Sequence, residues 1–319
     1  MKGSFLRNNG LGDVMRKYFY GQNPPSPYFE GWYFKMQSGN GQMVALIAAI
    51  HIQKNGHKSA SVQIISETHS WWVEYPADQF FACEDCFFIQ IGENTFSEQG
   101  IRLSVQNNGL SLHGSVSFNS LLTIRSDIMG PFRWLSNMEC SHSVISMRHG
   151  LKGHLILNGE ILNFDNGLGY IESDRGRSFP ENYLWTQGCW EETSIMLSIA
   201  TIPISRIRFT GCICAIVHNG KEYRIATYKG ARVVQWSKDC AVVKQGKYRL
   251  EVKLLKHSAQ PLRAPADGDM CRAVHESLSA TVQYCLWNRD RLILEKICDT
   301  AGYEHSCSEM ELNNFSATV

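Results

Sequence analysis

The chain has 319 residues, 44% of them hydrophobic and 19% charged, which is enough to bury the core of one large domain or two medium ones. Its formal net charge of +1 and its scattered basic residues argue against nucleic acid or an anionic membrane as a partner. The sequence contains no apolar run of the roughly 18 residues that cross a bilayer, and its first residues lack the apolar core of a signal peptide. These features predict a cytoplasmic protein that is not transmembrane.

Residues 1–27 are predicted to form a leader that ends in a proline-rich linker. From residue 28 onward the chain consists of short β-prone runs separated by turns, and long helical periodicity is nearly absent. The asparagine–glycine pairs at 108–109 and 158–159 predict hairpin turns, because both residue types tolerate a positive φ. The runs of the first half are residues 28–36, 43–52, 61–65, 87–91, 101–105 and 110–118.

The second half repeats this plan. Trp185 and the apolar run 196–204 parallel Trp32 and the run 43–52, and Gly169-Tyr170-Ile171-Glu172 recurs as Gly302-Tyr303-Glu304. Two segments that agree in order favour an internal duplication. The sequence therefore predicts an all-β protein with two β-barrel or sandwich halves, residues 28–180 and 181–319, and a ligand cavity in or between them.

A carboxylate surrounded by aromatic residues marks the first strand, Phe29-Glu30-Gly31-Trp32-Tyr33. The two-residue period of a strand places Glu30 and Trp32 on one face, where burial would raise the pKa of the carboxyl as a general acid requires. Pairing of Glu30 with an arginine as a structural tie is the equally weighted alternative. Glu172 and Asp174 share a face if their strand continues, and two neighbouring carboxylates raise the pKa of one of them.

The eleven cysteines are spread along the chain and odd in number. Cys83 and Cys86 form a lone C-x-x-C without the second pair of a zinc finger, so mostly free thiols are expected in a reducing compartment. Glu139, His142 and His149 could form a metal site or a polar pocket wall. Lone histidines more often serve as structural groups, and no metal is assigned.

Seven motifs follow one another along the chain: Phe29-Glu30-Gly31-Trp32-Tyr33, Phe132-Arg133-Trp134-Leu135, Tyr170-x-Glu172, Gly176, Phe179-Pro180, Trp185-x-Gln187 and Pro261-Leu262-Arg263-Ala264-Pro265. Together they resemble the tocopherol cyclase family, over residues 28 to about 300. The resemblance implies two lipocalin-like β halves. It also implies an intramolecular lyase or isomerase that closes a chromanol-type ring on a prenylated hydroquinone or a related isoprenoid or polycyclic compound.

That chemistry needs an acid, a dry aromatic wall and no cofactor. The candidate acids that would protonate the alkene are Glu30, Asp174 and Glu172. The candidate contacts to the substrate are Trp32, Tyr33, Trp185, Gln187, Arg133 and Arg263. The aromatic side chains would stabilise a tertiary cation, and the arginines would hold ring oxygens or pair with the acids.

Two other functions remain open from the sequence. A non-catalytic lipocalin-like carrier would bind an apolar small molecule in the same cavity without a proton donor, and a scaffold would have no cavity. For the cyclase or the carrier, the expected partner is an apolar prenylated aromatic compound. Peripheral contact of the protein with a membrane, from which it would take up this compound, is left open. An apolar cavity that contains a carboxylate would favour the cyclase.

Overall fold

The computed structural model describes residues 17–135, 138–204 and 207–307. Residues 1–16 of the expected leader lie outside this part of the chain. Three short 3-10 turns are present in it, at Ala77–Gln79, Gly130–Trp134 and Thr227–Lys229. All other regular structure in the described ranges is antiparallel β-sheet, so the predicted all-β class is confirmed.

The first sheet has twelve strands, which the chain enters at residue 28 and leaves at residue 176. They are β1 (Tyr28–Gln37), β2 (Met43–Ile52), β3 (Lys58–Ser66), β4 (Ser70–Pro76), β5 (Phe80–Ala82), β6 (Phe88–Ile91), β7 (Asn94–Ser97), β8 (Gly100–Asn107), β9 (Leu110–Phe118), β10 (Cys140–Leu157), β11 (Glu160–Asn163) and β12 (Gly167–Gly176). Their order across the sheet is β4-β3-β2-β1-β12-β10-β9-β8-β7-β6-β5, with β11 paired to β10 outside this path.

The second sheet has ten strands in the described residues. They are β13 (Tyr183–Trp190), β14 (Thr193–Ile204), β15 (Ile207–His218), β16 (Lys221–Ala226), β17 (Arg232–Trp236), β18 (Cys240–Gln245), β19 (Tyr248–Lys256), β20 (Gln260–Ala266), β21 (Asp269–Asn288) and β22 (Arg291–Ser306). Their order is β16-β15-β14-β13-β22-β21-β19-β18-β17, and β20 pairs with β21 outside this path.

The two sheets have the same strand order around their first and last strands. In the first sheet β1 lies between β2 and β12, and in the second β13 lies between β14 and β22. A 3-10 turn follows the fourth strand of each sheet, β4 and β16. This repeated order is what a duplicated β unit would produce, and the domain boundary near residue 180 stays a prediction.

Each sheet packs against its own apolar core, and a third apolar cluster joins the two sheets. Along β1, alternate side chains such as Trp32 and Phe34 enter the core of the first sheet, whereas Tyr33 points to the cluster between the sheets. The core of the second sheet includes Leu184 and Tyr284. Full burial of such a side chain contributes roughly 1.5–3 kcal/mol to the stability of the fold. A strand with apolar side chains on both faces is therefore stabilised by packing on both sides of its sheet.

The turns form as the sequence predicts. Asn158 has a φ of 51° and Gly159 a φ of 87°, the left-handed conformation that a tight two-residue hairpin requires. One cysteine pair departs from the expected free thiols, because Cys83 and Cys86 are joined by a disulfide. Free thiols are found at Cys140, Cys189, Cys212, Cys214, Cys240, Cys271, Cys285 and Cys298. Within the described residues there is no helix with the length and apolar character needed to cross a membrane.

Candidate active site

A cavity of about 180 Å³ lies between the two sheets. On the same measure one water needs only about 10–15 Å³, so the cavity has room for an organic molecule. Its walls come from the inward faces of β1, β2 and β12 in the first sheet and of β13, β14, β15 and β22 in the second. Residues of β3, β10, β20 and β21 also line the cavity, as do Phe132 and Met138 from the segment between β9 and β10.

Small residues keep the space between the sheets open. Gly31 on β1 lies opposite Ala49 on β2 and Asp174 on β12, and all three line the cavity. On the other wall, Ala200 and Gly211 are paired on β14 and β15. Because side chains at these positions are short, the two sheets enclose a cavity where they would otherwise interdigitate.

Two carboxylates and a histidine form a cluster on the first-sheet wall, in which His142 and Glu172 are buried and Asp174 is partly exposed. Nδ1 of His142 lies 3.0 Å from Oδ1 of Asp174, and Nε2 lies 3.3 Å from Oε2 of Glu172 without the alignment of a hydrogen bond. His142 is paired with Asp174 across β10 and β12, and Glu172 is two residues away on the same face of β12. The predicted sharing of a face by Glu172 and Asp174 agrees with this register.

The charge of His142 is fixed by its neighbours. Burial alone would lower its pKa, but the carboxylates of Asp174 and Glu172 hold the pKa of His142 well above its usual range. The imidazole is therefore protonated at neutral pH and compensates negative charge in the cluster. Desolvated like charges would otherwise repel each other strongly.

Glu172 is held by two further donors. Oη of Tyr170 lies 2.5 Å from Oε2 of Glu172, and Nε1 of Trp185 donates a hydrogen bond of 3.1 Å to the same oxygen. Trp185 belongs to the second sheet, so this bond crosses the interface. The Trp185 ring also meets the Tyr33 ring edge to face at 5.6 Å between centroids.

A further carboxyl, Glu304, faces the same cavity from the second sheet. It lies opposite Trp185 on the neighbouring strand and accepts a hydrogen bond from the hydroxyl of Tyr183. Burial, together with the nearby charges of Glu172 and Asp174, raises the pKa of Glu304 to about 8. Glu304 therefore carries a proton at neutral pH.

Glu276 completes the group of carboxyls. It lies opposite Glu304 on β21 and accepts a hydrogen bond from the hydroxyl of Tyr33 across the interface. Burial raises the pKa of Glu276 above its usual range. Besides Glu139, which pairs with Arg177, the cavity wall thus carries four carboxyls, each held by a defined donor, which can supply and accept protons.

Glu30 and Trp32 do not line the cavity. The prediction that they share one face of β1 agrees with the structure, but that face is the one toward the core of the first sheet. Glu30 accepts hydrogen bonds from Oη of Tyr28 at 2.7 Å and from the backbone N–H of Tyr20 at 2.9 Å. Glu30, a candidate acid from the sequence, therefore lies outside the cavity, because strand periodicity defines two faces but not which one meets the second sheet.

The remaining predicted contacts are divided between the cavity and its surroundings. Arg263 lines the cavity and lies over the ring of Trp72 at 5.1 Å. Arg133 lies outside the lining, 3.9 Å from Asp127. Gln187 is fully buried beyond the cavity, where its amide nitrogen lies 3.2 Å from Sγ of Cys189.

Sequence reasoning did not include Glu304, Glu276 or His142 among the acid–base groups. The signal for Glu304 was present, because it ends the Gly302-Tyr303-Glu304 repeat of the segment that ends in Glu172. Glu276 stands in the long strand β21 without a motif around it. Its position in the cavity depends on strand pairing that is remote in sequence.

The cluster of His142, Glu172 and Asp174 also offers three ligand atoms within 4.8 Å of one another, which is close enough to hold a metal ion. Both ring nitrogens of His142, however, face a carboxylate. The protonated imidazole thus already supplies a positive charge to both acids, and an ion pair network explains the cluster without a metal.

Comparison with known proteins gives a family and two related folds. CghA, in a crystal structure with Sch210972, superposes with a TM-score of 0.57 at 8% identity over 88% of each chain. A candidate AttH from Nitrosomonas europaea superposes with a TM-score of 0.52 at 10% identity, over 95% of this chain and 98% of that one. A search of curated proteins found no match. The model of the tocopherol cyclase-like family matches residues 126–306, and the chain belongs to that family.

Proposed function

We propose that this protein is an acid-catalysed cyclase that closes an oxygen-containing ring on an apolar, prenylated aromatic substrate. The observation that carries the proposal is a buried carboxyl, Glu304, in the wall of a largely apolar cavity, where burial raises its pKa to about 8. Membership of the tocopherol cyclase-like family supports the same class of reaction. A prenylated hydroquinone is the proposed substrate class, because it carries both the alkene and the hydroxyl that such a closure joins.

The reaction begins with the transfer of the Glu304 proton to the less substituted carbon of a trisubstituted alkene. The electron pair of the double bond forms the new C–H bond, and the other alkene carbon becomes a tertiary cation. The phenol oxygen attacks this carbon and forms the C–O bond that closes the ring. The phenol proton then returns to the Glu304 carboxylate, so the product is an isomer of the substrate.

Aromatic faces and fixed charges would stabilise the cation. Trp185 and Tyr33 lie beside the carboxyls on the cavity wall, and an aromatic face contributes roughly 0.5–2 kcal/mol to binding a desolvated cation. Glu172 and Asp174 place negative charge nearby, and His142 holds both carboxylates in fixed orientations. The groups are preorganised, because neighbouring tyrosine, tryptophan or histidine side chains contact each of them.

Glu172 and Asp174, two of the acids expected from the sequence, keep a part in this proposal as charged partners of His142. Glu30 does not, because it is outside the cavity. The proposed proton donor is instead Glu304, whose raised pKa leaves it protonated at neutral pH.

The test is incubation of the purified protein with prenylated hydroquinones, followed by chromatography and mass spectrometry of bound and released compounds. A cyclase yields a product of unchanged mass and changed retention time, with loss of the alkene signal in proton NMR. Recovery of bound but unchanged compound would contradict catalysis and leave the carrier function. Absence of both product and bound compound would contradict the substrate class.

A further inference from the structure

Four side chains with metal-binding atoms lie on one face of two paired strands. Cys140 and His142 are two residues apart on β10, and Glu172 and Asp174 are two residues apart on β12. His142 lies opposite Asp174 in the strand register, so the two-residue period places all four side chains on the same face of the sheet. All four residues line the cavity.

Three of these side chains meet at one oxygen atom. Sγ of Cys140 lies 3.4 Å and Nδ1 of His142 lies 3.0 Å from Oδ1 of Asp174. Zinc binds oxygen and nitrogen at about 2.0–2.2 Å and thiolate sulfur at about 2.3 Å, which places neighbouring ligand atoms of a tetrahedral site roughly 3.2–3.7 Å apart. The two distances are close to this spacing, so small movements of the side chains would bring all three atoms to one zinc ion.

Glu172 has the position of an outer partner to such a site. Its Oε2 lies 3.3 Å from Nε2 of His142, a buried nitrogen that forms no hydrogen bond with the described residues. A histidine that binds a metal through one ring nitrogen usually donates the N–H of the other to a carboxylate, which fixes the orientation of the ring. Tyr170 and Trp185 already hold the Glu172 carboxylate in place.

Replacement of protons by the ion leaves the charge of this group unchanged. Without a metal, the Cys140 thiol donates to Asp174 and the His142 ring is protonated. One positive charge on His142 and one negative charge on each of the two carboxylates then give a net charge of −1. Zn²⁺ adds two positive charges and displaces two protons, one from the thiol and one from the imidazolium. The buried group therefore takes up the ion without the desolvation cost of an added charge.

We propose that Cys140, His142 and Asp174 form a regulatory binding site for a divalent transition-metal ion such as zinc. Water completes the tetrahedral set, and Glu172 is the outer partner of His142. Sulfur and nitrogen ligands select zinc over magnesium and calcium, which prefer oxygen. The ion inhibits ring closure, because it binds the Asp174 carboxylate whose negative charge otherwise stabilises the substrate cation. The inhibition rests on the proposed function, whereas the site itself does not.

The probes for binding are zinc and cobalt(II) ions. They are added to the full-length protein without oxygen and without a reductant, so that the Cys83–Cys86 disulfide stays closed. Zinc affinity is measured by competition with a chromogenic chelator, and cobalt bound to a cysteine sulfur gives a thiolate-to-metal charge-transfer absorption. We expect this absorption in the wild-type protein. Cys140→Ser should lose it and bind zinc at least about 10- to 100-fold more weakly, since even an outer partner contributes that much to affinity.

Inhibition is measured as the ratio of turnover with and without saturating zinc, on a prenylated hydroquinone. Zinc should reduce the turnover of the wild-type protein by about 10- to 100-fold, near the lower end of what the loss of one fixed electrostatic contact costs. The same zinc concentration should leave the turnover of Cys140→Ser unchanged.

Cys212→Ser is the matched control. Cys212 is also a free thiol that lines the cavity, but it lies on β15 in the opposite wall, where its sulfur contacts Thr227. Its replacement should change neither the zinc affinity nor the cobalt absorption. If Cys140→Ser does not fold, alkylation of the wild-type protein, mapped by peptide mass spectrometry, takes its place. Zinc should then protect the partly exposed Cys140 but not the exposed Cys271.

The outcomes separate the metal site from the proposed function. Absence of zinc binding, equal affinity of the wild-type protein and Cys140→Ser, or alkylation of Cys140 that zinc does not slow overturns the site. Binding through Cys140 without a loss of turnover supports the site and overturns its inhibitory role. Binding through Cys140 in a protein that forms no product even without zinc supports the site and overturns the cyclase.

Discussion

Glu30 and Glu304 are both buried glutamates near the ends of strands, and burial raises the pKa of both, to about 7 and about 8 respectively. The two glutamates differ in what lies beside their carboxyl groups. Glu30 is enclosed on the core side of β1, where the hydroxyl of Tyr28 and the backbone of Tyr20 donate to it. Glu304 is exposed to the cavity between the sheets.

This contrast separates two properties of a catalytic carboxyl, a raised pKa and access to a substrate. A sequence motif does not distinguish between them. A raised pKa reports that a carboxyl is desolvated, and both glutamates satisfy that condition. Reactivity toward a substrate also requires an open space beside the group, and only Glu304 of the two has one. The following experiments compare the core side and the cavity side of the same molecule.

The largest expected effect is on turnover by Glu304→Gln. Glutamine keeps an oxygen that accepts the hydrogen bond of Tyr183 but cannot donate a proton to the alkene. We expect a turnover reduced by roughly 10²–10⁴, with retained ligand binding and a melting temperature near that of the wild type. The measurement is product formation with a prenylated hydroquinone, alongside thermal melting of the same preparation.

Glu30→Gln is the control for that experiment. It removes a carboxyl of similar burial on the other side of β1, and its expected effect is a loss of about 1–3 kcal/mol of stability with turnover retained. If Glu30→Gln lost turnover as strongly as Glu304→Gln at an unchanged melting temperature, the assignment of the acid to the cavity side would fail.

The pH dependence of stability should show both glutamates and His142. The folded state holds protons on Glu30, Glu304 and His142 more tightly than the unfolded chain does, because the pKa of each is raised. The unfolded glutamates release their protons near pH 4.5 and an unfolded histidine near pH 6.5. Below pH 6.5 the buried His51 and His149, whose pKa burial lowers to about 3, take up protons on unfolding and oppose the glutamates. The free energy of unfolding is therefore expected to fall as pH rises from about 6.5 to about 8. Each group contributes at most about 1.4 kcal/mol per pH unit.

Denaturant midpoints measured at intervals over this range test that sign. Glu30→Gln should flatten the profile up to about pH 7, and Glu304→Gln should flatten it up to about pH 8. Stability that rises with pH across the interval would show that the glutamates are ionised in the folded protein, and would remove the neutral acid from the mechanism.

A smaller effect is expected from filling the cavity. Ala49→Leu places a larger side chain on the cavity face of β2, beside Gly31, and should weaken binding of a prenylated hydroquinone by about tenfold. Ala48→Leu is the control on the opposite face, which enters the core of the first sheet. Overpacking there should cost about 1–3 kcal/mol of stability and leave the affinity unchanged.

Tryptophan fluorescence for affinity and thermal melting for stability distinguish the two leucine variants. The opposite pattern, with affinity lost in Ala48→Leu and kept in Ala49→Leu, would mean that the ligand occupies the core of the first sheet.

Much of the architecture could be predicted because its signals are local. Turn residues such as Asn158 and Gly159 determine hairpins through their own backbone preferences, and the repeated Gly-Tyr pattern around Tyr170 marks the last strand of each sheet. Of the three aromatic residues expected to contact the substrate, Trp185 and Tyr33 line the cavity, whereas Trp32 lies in the core of the first sheet.

The rest depends on pairing between segments that are remote in sequence. A period of two assigns Glu30 and Gly31 to opposite faces of β1, but only the position of the second sheet decides which face borders a cavity. Glu276 reaches Tyr33 over 243 residues of chain. No motif connects these residues, so neither the composition nor the spacing of the sequence could bring them together.

The smallest expected effect is the change in melting temperature on reduction of the Cys83–Cys86 disulfide. This disulfide lies on the core side of β1. Glu84, within this short loop, pairs with Lys17 at 2.6 Å and accepts a hydrogen bond from the backbone of Tyr18. In the same N-terminal segment, two residues after Tyr18, the backbone N–H of Tyr20 donates a hydrogen bond to Glu30. Closing so short a loop contributes at most about 2 kcal/mol by the chain-entropy model.

We therefore expect a reductant to lower the melting temperature by a few degrees and to leave turnover within about twofold of the oxidised protein, because the bond is on the side of β1 away from Glu304. A Cys83→Ser, Cys86→Ser double variant should reproduce the melting temperature of the reduced protein and should not respond to the reductant. A loss of turnover in the double variant comparable with that of Glu304→Gln would show that the order of the N-terminal segment reaches the cavity, and that the two sides of β1 are coupled.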